Sequence, residues 1–391
     1  MKCLFLLQLL EIYLQNPQNK DATVSAKACA SSKKRIAYEK EIEKETFDIG
    51  HLIDSCCSRA TECYAHTVYP RISYLLSAFS NVFPFAIGDL FIFLSIVGVV
   101  CFPFFSHFRL HWSWKKAGLC SGEYLLWVYV WFYLAWGLNY SQPDFYQRTH
   151  IPHTAYTPEN FNSFINEYIT KLNQSFVPYH QMTWKTVKEE DVRQEVTRIY
   201  KELSDSLGVH KPPHDRPQAK RMIFTPLCSK VGVTGSMGPF FCEFTLNGDL
   251  HPLNYPSVYA HELSHLLGIT NEAEANFYAY QVCTRSQIKE IRYAGYFAVF
   301  GHVMRNAQML LPREEYERLY MQIRSDICVA AQLNQDYWRE KYSPALGTMQ
   351  NWLYDLYLKG NKIESGWKNY SEVVGLLISY HEWEKRKKNQ L

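Results

Sequence analysis

The stretch "VYPRISYLLSAFSNVFPFAIGDLFIFLSIVGVVCFPFF", residues 68–105, constrains this chain more than any other feature. No charged residue occurs from Leu90 to Phe105, and apolar flanks reaching back to Pro84 extend the run. A helix of about 20 apolar residues is long enough to span a bilayer. A second uncharged run, "YLLWVYVWFYLAWGLNYSQP", covers 124–143 and carries Trp and Tyr at both ends, as interfacial belts do. The pair predicts a transmembrane helical hairpin with spans at about 86–106 and 123–142.

The connection between the runs holds Arg109, Lys115 and Lys116, whereas the outer flanks hold chiefly Arg71 and Arg148. By the positive-inside tendency the short connection faces the cytoplasm and everything after about residue 143 lies outside it. The only acidic residues in the hairpin, Asp89 and Glu123, are read as lying near the span ends, which leaves no intramembrane charge for a transport pathway.

The expected organisation is therefore a polar arm at 1–66, a membrane-anchoring region at 67–143 and an α-rich domain at 144–391. The start, "MKCLFLLQLLEIYLQ", imitates a signal peptide. Its apolar run is short, Glu11 breaks it, and no small-x-small cleavage site follows. The charged stretch behind it reads as a loose helix or disordered arm. Aromatic content of 16%, with 28 Tyr and 10 Trp, agrees with residues placed at a membrane–water boundary. A formal charge of +3 is too nearly balanced to call for nucleic acid. The eleven cysteines form no CxxC pair, and Cys228, Cys242, Cys283 and Cys328 read as packed thiols.

Beyond Pro143 the pattern predicts helices over "TPENFNSFINEYITKLNQSF" and "EEDVRQEVTRIYKELSDSLG", the second closed by Gly208. Strand-like pieces follow in 221–256, with a turn at Asn247–Gly248 and turn glycines in "GVTGSMG". "GPFFCEFTLN" is expected to be a strand edge open to an extended peptide. Helices dominate from Ser257 onward, and "LPREEYERLYMQIRSD" reads as a solvated helical face.

The chemistry lies in "YAHELSHLLGITNEAEANFYAYQ". Pro256 suits the first turn of a helix and Gly268 its end. His261 and His265 then stand at i and i+4 on one face, the spacing at which two imidazoles reach one Zn²⁺. Glu262 is placed as general base for a zinc-activated water. Apolar neighbours make this helix largely buried, and burying His, Glu and His together is costly unless they are paired or bound to metal. The third ligand is expected from Glu272, with Glu274 as the alternative in a helix capped by Asn271. Glu274 also suits the capping-box position. Asn276 lies one turn from Glu272 and is placed to hydrogen-bond a ligand. Glu243 is a candidate substrate or histidine contact, or a buried charge paired with a local arginine. Tyr293, Arg292 and His302 are candidates for stabilising a reaction oxyanion.

"HELSH" followed by "EAEAN" resembles the gluzincin pattern of HtpX-type and CAAX-prenyl-protease-type membrane peptidases, here with an unusually short separation. That pattern also implies Glu272 as ligand, with Asn276 standing where those families carry Asp. A closer resemblance, covering about residues 64–380, is to the bacterial family domain of unknown function 3810. It rests on "YPRIS", "PFAIGDL", "WGLNY", "VGVTGSMGPFFCEFTLN", "YAHELSHLLGITNEAEANFYAYQVC", "IRYAGYF", "YLKGN" and "YSEVVGLLI". Cys242 stands where that family tends to have glycine. The resemblance implies a bacterial cytoplasmic-membrane protein with a metallopeptidase-like domain and no stated substrate. The expectation is thus a mainly α, membrane-anchored, zincin-like metallopeptidase with a small β element, requiring Zn²⁺ and a peptide substrate. The alternative is a membrane-tethered metal-binding scaffold without turnover.

Overall fold

The computed structural model describes residues 61–215, 217–349 and 369–389. The signal-like start and nearly all of the polar arm lie outside them. The described chain is mainly helical. In order it forms α1 (Tyr69–Ser80), α2 (Ile87–Leu110), α3 (Trp114–Ala135), α4 (Phe145–Thr149), α5 (Pro158–Ser175) and α6 (Glu189–Leu207). Next come β1 (Ala219–Arg221), α7 (Thr225–Lys230), β2 (Gly235–Gly238) and β3 (Glu243–Leu246). Helices α8 (Tyr255–Leu266), α9 (Glu272–Thr284), α10 (Lys289–Leu310), α11 (Arg313–Met321), α12 (Ser325–Lys341) and α13 (Asn369–Asn389) complete it.

Local signals set several boundaries. Thr157 caps α5 by accepting from the Asn160 amide, and Pro158 takes the first turn. Gly208, at φ +59°, closes α6 in the left-handed region. The solvated helix is α11, with an Arg313–Glu317 pair one turn apart at 2.7 Å.

The expected apolar hairpin differs in register from the sequence reading. Helix α2 runs on to Leu110, and α3 begins at Trp114, where the Ser113 side chain accepts from the Lys116 amide. The connection is therefore only His111–Ser113, and Lys115 and Lys116 belong to the first turn of α3. At the other end Trp136 leaves helical geometry with φ −156°, so α3 stops at Ala135 and not near 142. Helix α2 is the one helix among the described residues long and apolar enough to cross a membrane. At 1.5 Å per residue its 24 residues measure about 36 Å. Helix α3 is similar in length, but Lys115, Lys116 and Glu123 interrupt its first half. Glu123 falls ten residues into α3 and not near a span end, because the helix starts nine residues before the predicted span.

The sheet order is β1-β3-β2, with β1 parallel and β2 antiparallel to β3. Strand β3, expected as an open edge, is therefore the central strand, and β2 is at the end of the order. Gly235 and Gly238 are strand residues, not turn residues. Gly232, at φ +77°, is the turn glycine. The Asn247–Gly248 turn follows β3, closed by the Leu250 amide on the Asn247 carbonyl at 3.1 Å, and joins no hairpin. The β2–β3 connection instead ends in Cys242 at φ +46°, a region that favours glycine.

The aromatic excess, expected at a membrane boundary, serves the core. Tyr69, Tyr168, Tyr200, Tyr259 and Tyr278 are almost completely buried. Their hydroxyls donate to the carbonyls of Leu266, Tyr296, Ala260, Pro217 and Leu207 at 2.6–2.8 Å. Each ring contributes apolar burial, and each hydroxyl satisfies an acceptor that would otherwise be buried unpaired. Tyr69 and Trp136, from the region read as membrane anchor, belong to this core. Among the described residues Cys228, Cys242, Cys283 and Cys328 are free thiols.

Candidate metal centre

Helix α8 forms because Pro256 occupies its first turn and Gly268, at φ +97°, follows its end. Tyr259, Ala260, Leu263 and Leu266 bury the face turned into the core. His261 and His265 share the remaining face. Helix α9 then starts at Glu272, because the Asn271 side chain accepts from the amides of Ala273 and Glu274 at 2.8 and 3.0 Å. This cap turns the chain so that the first residue of α9 returns to the two histidines.

Three ligand-type side chains converge there. His261 Nε2 lies 3.1 Å from His265 Nε2, and Glu272 Oε2 lies 3.2 and 3.7 Å from those two atoms. Tetrahedral bonds of 2.0–2.1 Å to zinc would separate neighbouring ligand atoms by about 3.3 Å. The donor set fits. The tautomers fit as well: His265 Nδ1 donates to the Ile269 carbonyl at 2.6 Å, and His261 Nδ1 donates to Asn276 Oδ1 at 3.1 Å. Both Nε2 atoms therefore present lone pairs to each other and to a carboxylate, an arrangement that calls for a cation. The local charges express the same demand. Burial opposes a charge on His265, but Glu272 overcomes it and pushes the group up to about 9. Burial would raise Glu272, yet His265 and His261 hold it well below the usual carboxylate range.

Of the other candidates, Glu262 lies beside the cluster and is 5% exposed. Burial raises its pKa, with His261 and His265 pulling the other way. Its carboxylate abuts β2 so closely that a Cβ on Gly235 would come within 2.3 Å of Oε1. That strand position admits only glycine while Glu262 holds its place, a constraint the sequence alone did not reveal. Glu274 does not close a capping box: it pairs with buried Arg148 and accepts from the Phe145 amide at 2.9 Å. Glu243 is held by Lys220 at 2.6 Å and by the Gly88 amide, so its partner is a lysine rather than the arginine considered from the sequence. Tyr293 is buried against Phe176, and its hydroxyl has no hydrogen-bond partner among the described residues. Arg292 donates to the Ser286 carbonyl at 2.8 Å. His302 lies on α10, where its carbonyl accepts from Asn306. None of these three joins the cluster of ligand atoms, which among the described residues comprises His261, His265 and Glu272.

The sequence reading has Asn276 hydrogen-bonding a ligand, and the structure places that bond on His261. Asn276→Ala should weaken zinc binding by about 10- to 100-fold, the usual effect of removing a ligand's orienting partner. Competition titration against a zinc chelator measures this, and an unchanged affinity would dismiss the role.

A mainly helical body that presents a His-x-x-x-His pair and a carboxylate from the next helix defines a protein with a three-ligand candidate metal centre. The chain belongs to the family described as Protein of unknown function (DUF3810), whose family model matches residues 64–378. No curated protein and no solved structure matches it.

Proposed function

We propose that this protein is a membrane-anchored zinc-dependent peptidase of gluzincin type. The observation that carries the reading is the isolation of Glu262. Three glutamates are buried around the site, and two have dedicated cations: Lys220 for Glu243 and Arg148 for Glu274. No hydrogen bond from a described residue reaches the Glu262 carboxylate. A buried carboxylate with no hydrogen-bonded Lys or Arg, offset only by the two neighbouring histidines, costs stability, and a general base needs that freedom to accept a proton. His261, His265 and Glu272 would hold Zn²⁺, which when bound supplies a Lewis acid and makes a water nucleophilic near neutral pH.

The residues of the chain account for the rest. Glu262 takes the proton of the attacking water and passes it to the leaving amine. Strand β2 lies at the end of the sheet order and against Glu262, so an extended peptide laid along it would bring a carbonyl to the centre. The Glu272 and His261 side chains are 27% and 16% exposed, which favours an open reactive site over a closed structural one. This also disfavours the silent-scaffold alternative.

Helix α2 is read as the membrane span, with α3 returning beside it through a 2.6 Å Ser95–Tyr124 hydrogen bond. Arg109, Lys115 and Lys116 cluster at the hairpin end, which is read as cytoplasmic, with the catalytic body on the other side of a bacterial cytoplasmic membrane. A charge at the depth of Glu123 costs about 2.5–3.5 kcal/mol on insertion scales, less than the apolar residues of α2 return.

Full-length protein in lipid should retain about one equivalent of zinc and hydrolyse a mixed-sequence peptide library. Chelation should abolish the hydrolysis and added zinc should restore it. Zinc held without hydrolysis would move the reading to the scaffold, and no zinc would end both.

A further inference from the structure

The candidate metal centre is bound directly to the root of the apolar hairpin. One residue past α3, the Trp136 indole N–H donates to the carbonyl of His265, itself a candidate ligand, at 3.1 Å. The next carbonyl, of Leu266, accepts from Tyr69 at 2.7 Å and Ser73 at 3.4 Å, both on α1. These bonds satisfy the exposed end of α8 with groups from the elements that flank the hairpin.

A second link runs through the sheet. The amide of Gly88, in the first turn of α2, donates to Glu243, which pairs across the sheet with Gly238 of β2. Gly235, against Glu262, is three residues along that strand, or about 10 Å. Between β2 and β3 the rings of Phe240 and Phe241 pack on Phe91 of α2, tilted and edge-on, at 4.9 and 5.6 Å between centroids. Trp131 of α3 donates to the Phe240 carbonyl at 3.0 Å. The centre is therefore held rigidly near the start of the span and not on a stalk.

The body around that root is also apolar on its surface. Leu75, Phe79 and Val82 on one side and Leu227 on the other are more than half exposed. The second patch is tied to α2 by a 5.5 Å contact of Phe93 with Phe224 and by Asp89 accepting from the Ile223 amide at 2.9 Å. Both patches continue the apolar surface of α2 onto the body. A surface of this kind that joins a spanning helix is best covered by lipid.

We infer that the body is seated in the bilayer surface and that its centre acts on polypeptides tethered to the same membrane, within the first few residues outside it. The substrate class rests on the peptidase reading; the seating does not. An extended chain advances at most ~3.3–3.6 Å per residue, so a site linked to the span's first turn through Glu243 and three residues of β2 is reached about three to ten residues from a substrate's own span.

The test uses full-length protein in phosphatidylcholine vesicles, with a fluorescent amino acid in place of exposed Ser236 on β2. Lipids carrying a nitroxide at the headgroup should quench it at least twofold more than lipids carrying one deep in the chain or a soluble nitroxide. Vesicles of the same lipid holding the unlabelled protein, loaded with zinc, receive mixed-sequence peptides fused to a single apolar helix through spacers of 5 or 30 residues, or left free. Cleavage should fall within ten residues of the helix, at least tenfold faster than for the free peptides. Equal cleavage of free and tethered peptides would overturn the substrate class and leave the peptidase reading intact. Absence of all hydrolysis, with the headgroup quenching present, would overturn the peptidase reading and the substrate class together. Quenching only by the soluble nitroxide would overturn the seating.

Discussion

Glu262→Gln will lower kcat for peptide hydrolysis by about 10²–10⁴-fold while zinc content stays at one per chain. The amide is nearly isosteric, so the close contact with Gly235 survives and the three ligand side chains keep their places. What disappears is the capacity to accept a proton. Burial raises Glu262 from its ordinary value, with the two histidines opposing that rise, which moves the group toward the pH at which a base is useful. The measurement is steady-state hydrolysis beside metal analysis on the same samples. Undiminished turnover would remove Glu262 as the base, and loss of zinc together with activity would make it a structural support of the centre.

Lys220→Met should destabilise the body by about 3–5 kcal/mol, the cost of leaving a buried carboxylate without its cation. Lys220 and Glu243 have side chains only 3% and 2% exposed, and their 2.6 Å contact is supplemented by the Ser80 carbonyl and the Gly88 amide. The pair thereby joins β1, β3, α1 and the first turn of α2. The double variant Lys220→Met with Glu243→Leu should recover most of the loss, because an apolar pair of similar volume removes the unpaired charge. Denaturant unfolding in detergent reports both, and a single variant as stable as wild type would show that Glu243 finds other compensation.

Much of the metal cluster was legible in the chain because its geometry is local. His261 and His265 stand one helical turn apart whatever surrounds them, and Asn271 caps the next helix by contacts two and three residues away. Glu272 and Asn276 follow at helical spacing. The choice of Glu272 over Glu274 at the cluster was different in kind. It depended on Arg148, 126 residues earlier in the chain, engaging Glu274. The place of β3 in the sheet was likewise set by β1 and β2, which no periodicity in "FFCEF" reveals.

The hairpin divides the same way. By itself the sequence determined that residues near 86–106 form one long apolar helix, because composition and length suffice for that, and the structure carries it on to Leu110. It determined the ligand spacing on α8 and the existence of a second acidic helix behind it. Only the tertiary structure decided where α3 ends, since the long-range bond from Trp136 to His265 fixes that point, whereas its start is set by the local cap of Ser113. Only the tertiary structure decided that Glu243 and Glu274 each gain a Lys or Arg while Glu262 faces the two histidines. Helix periodicity and capping act over a few residues and are written in neighbouring letters, whereas a buried charge is governed by whichever distant cation the packed chain brings to it.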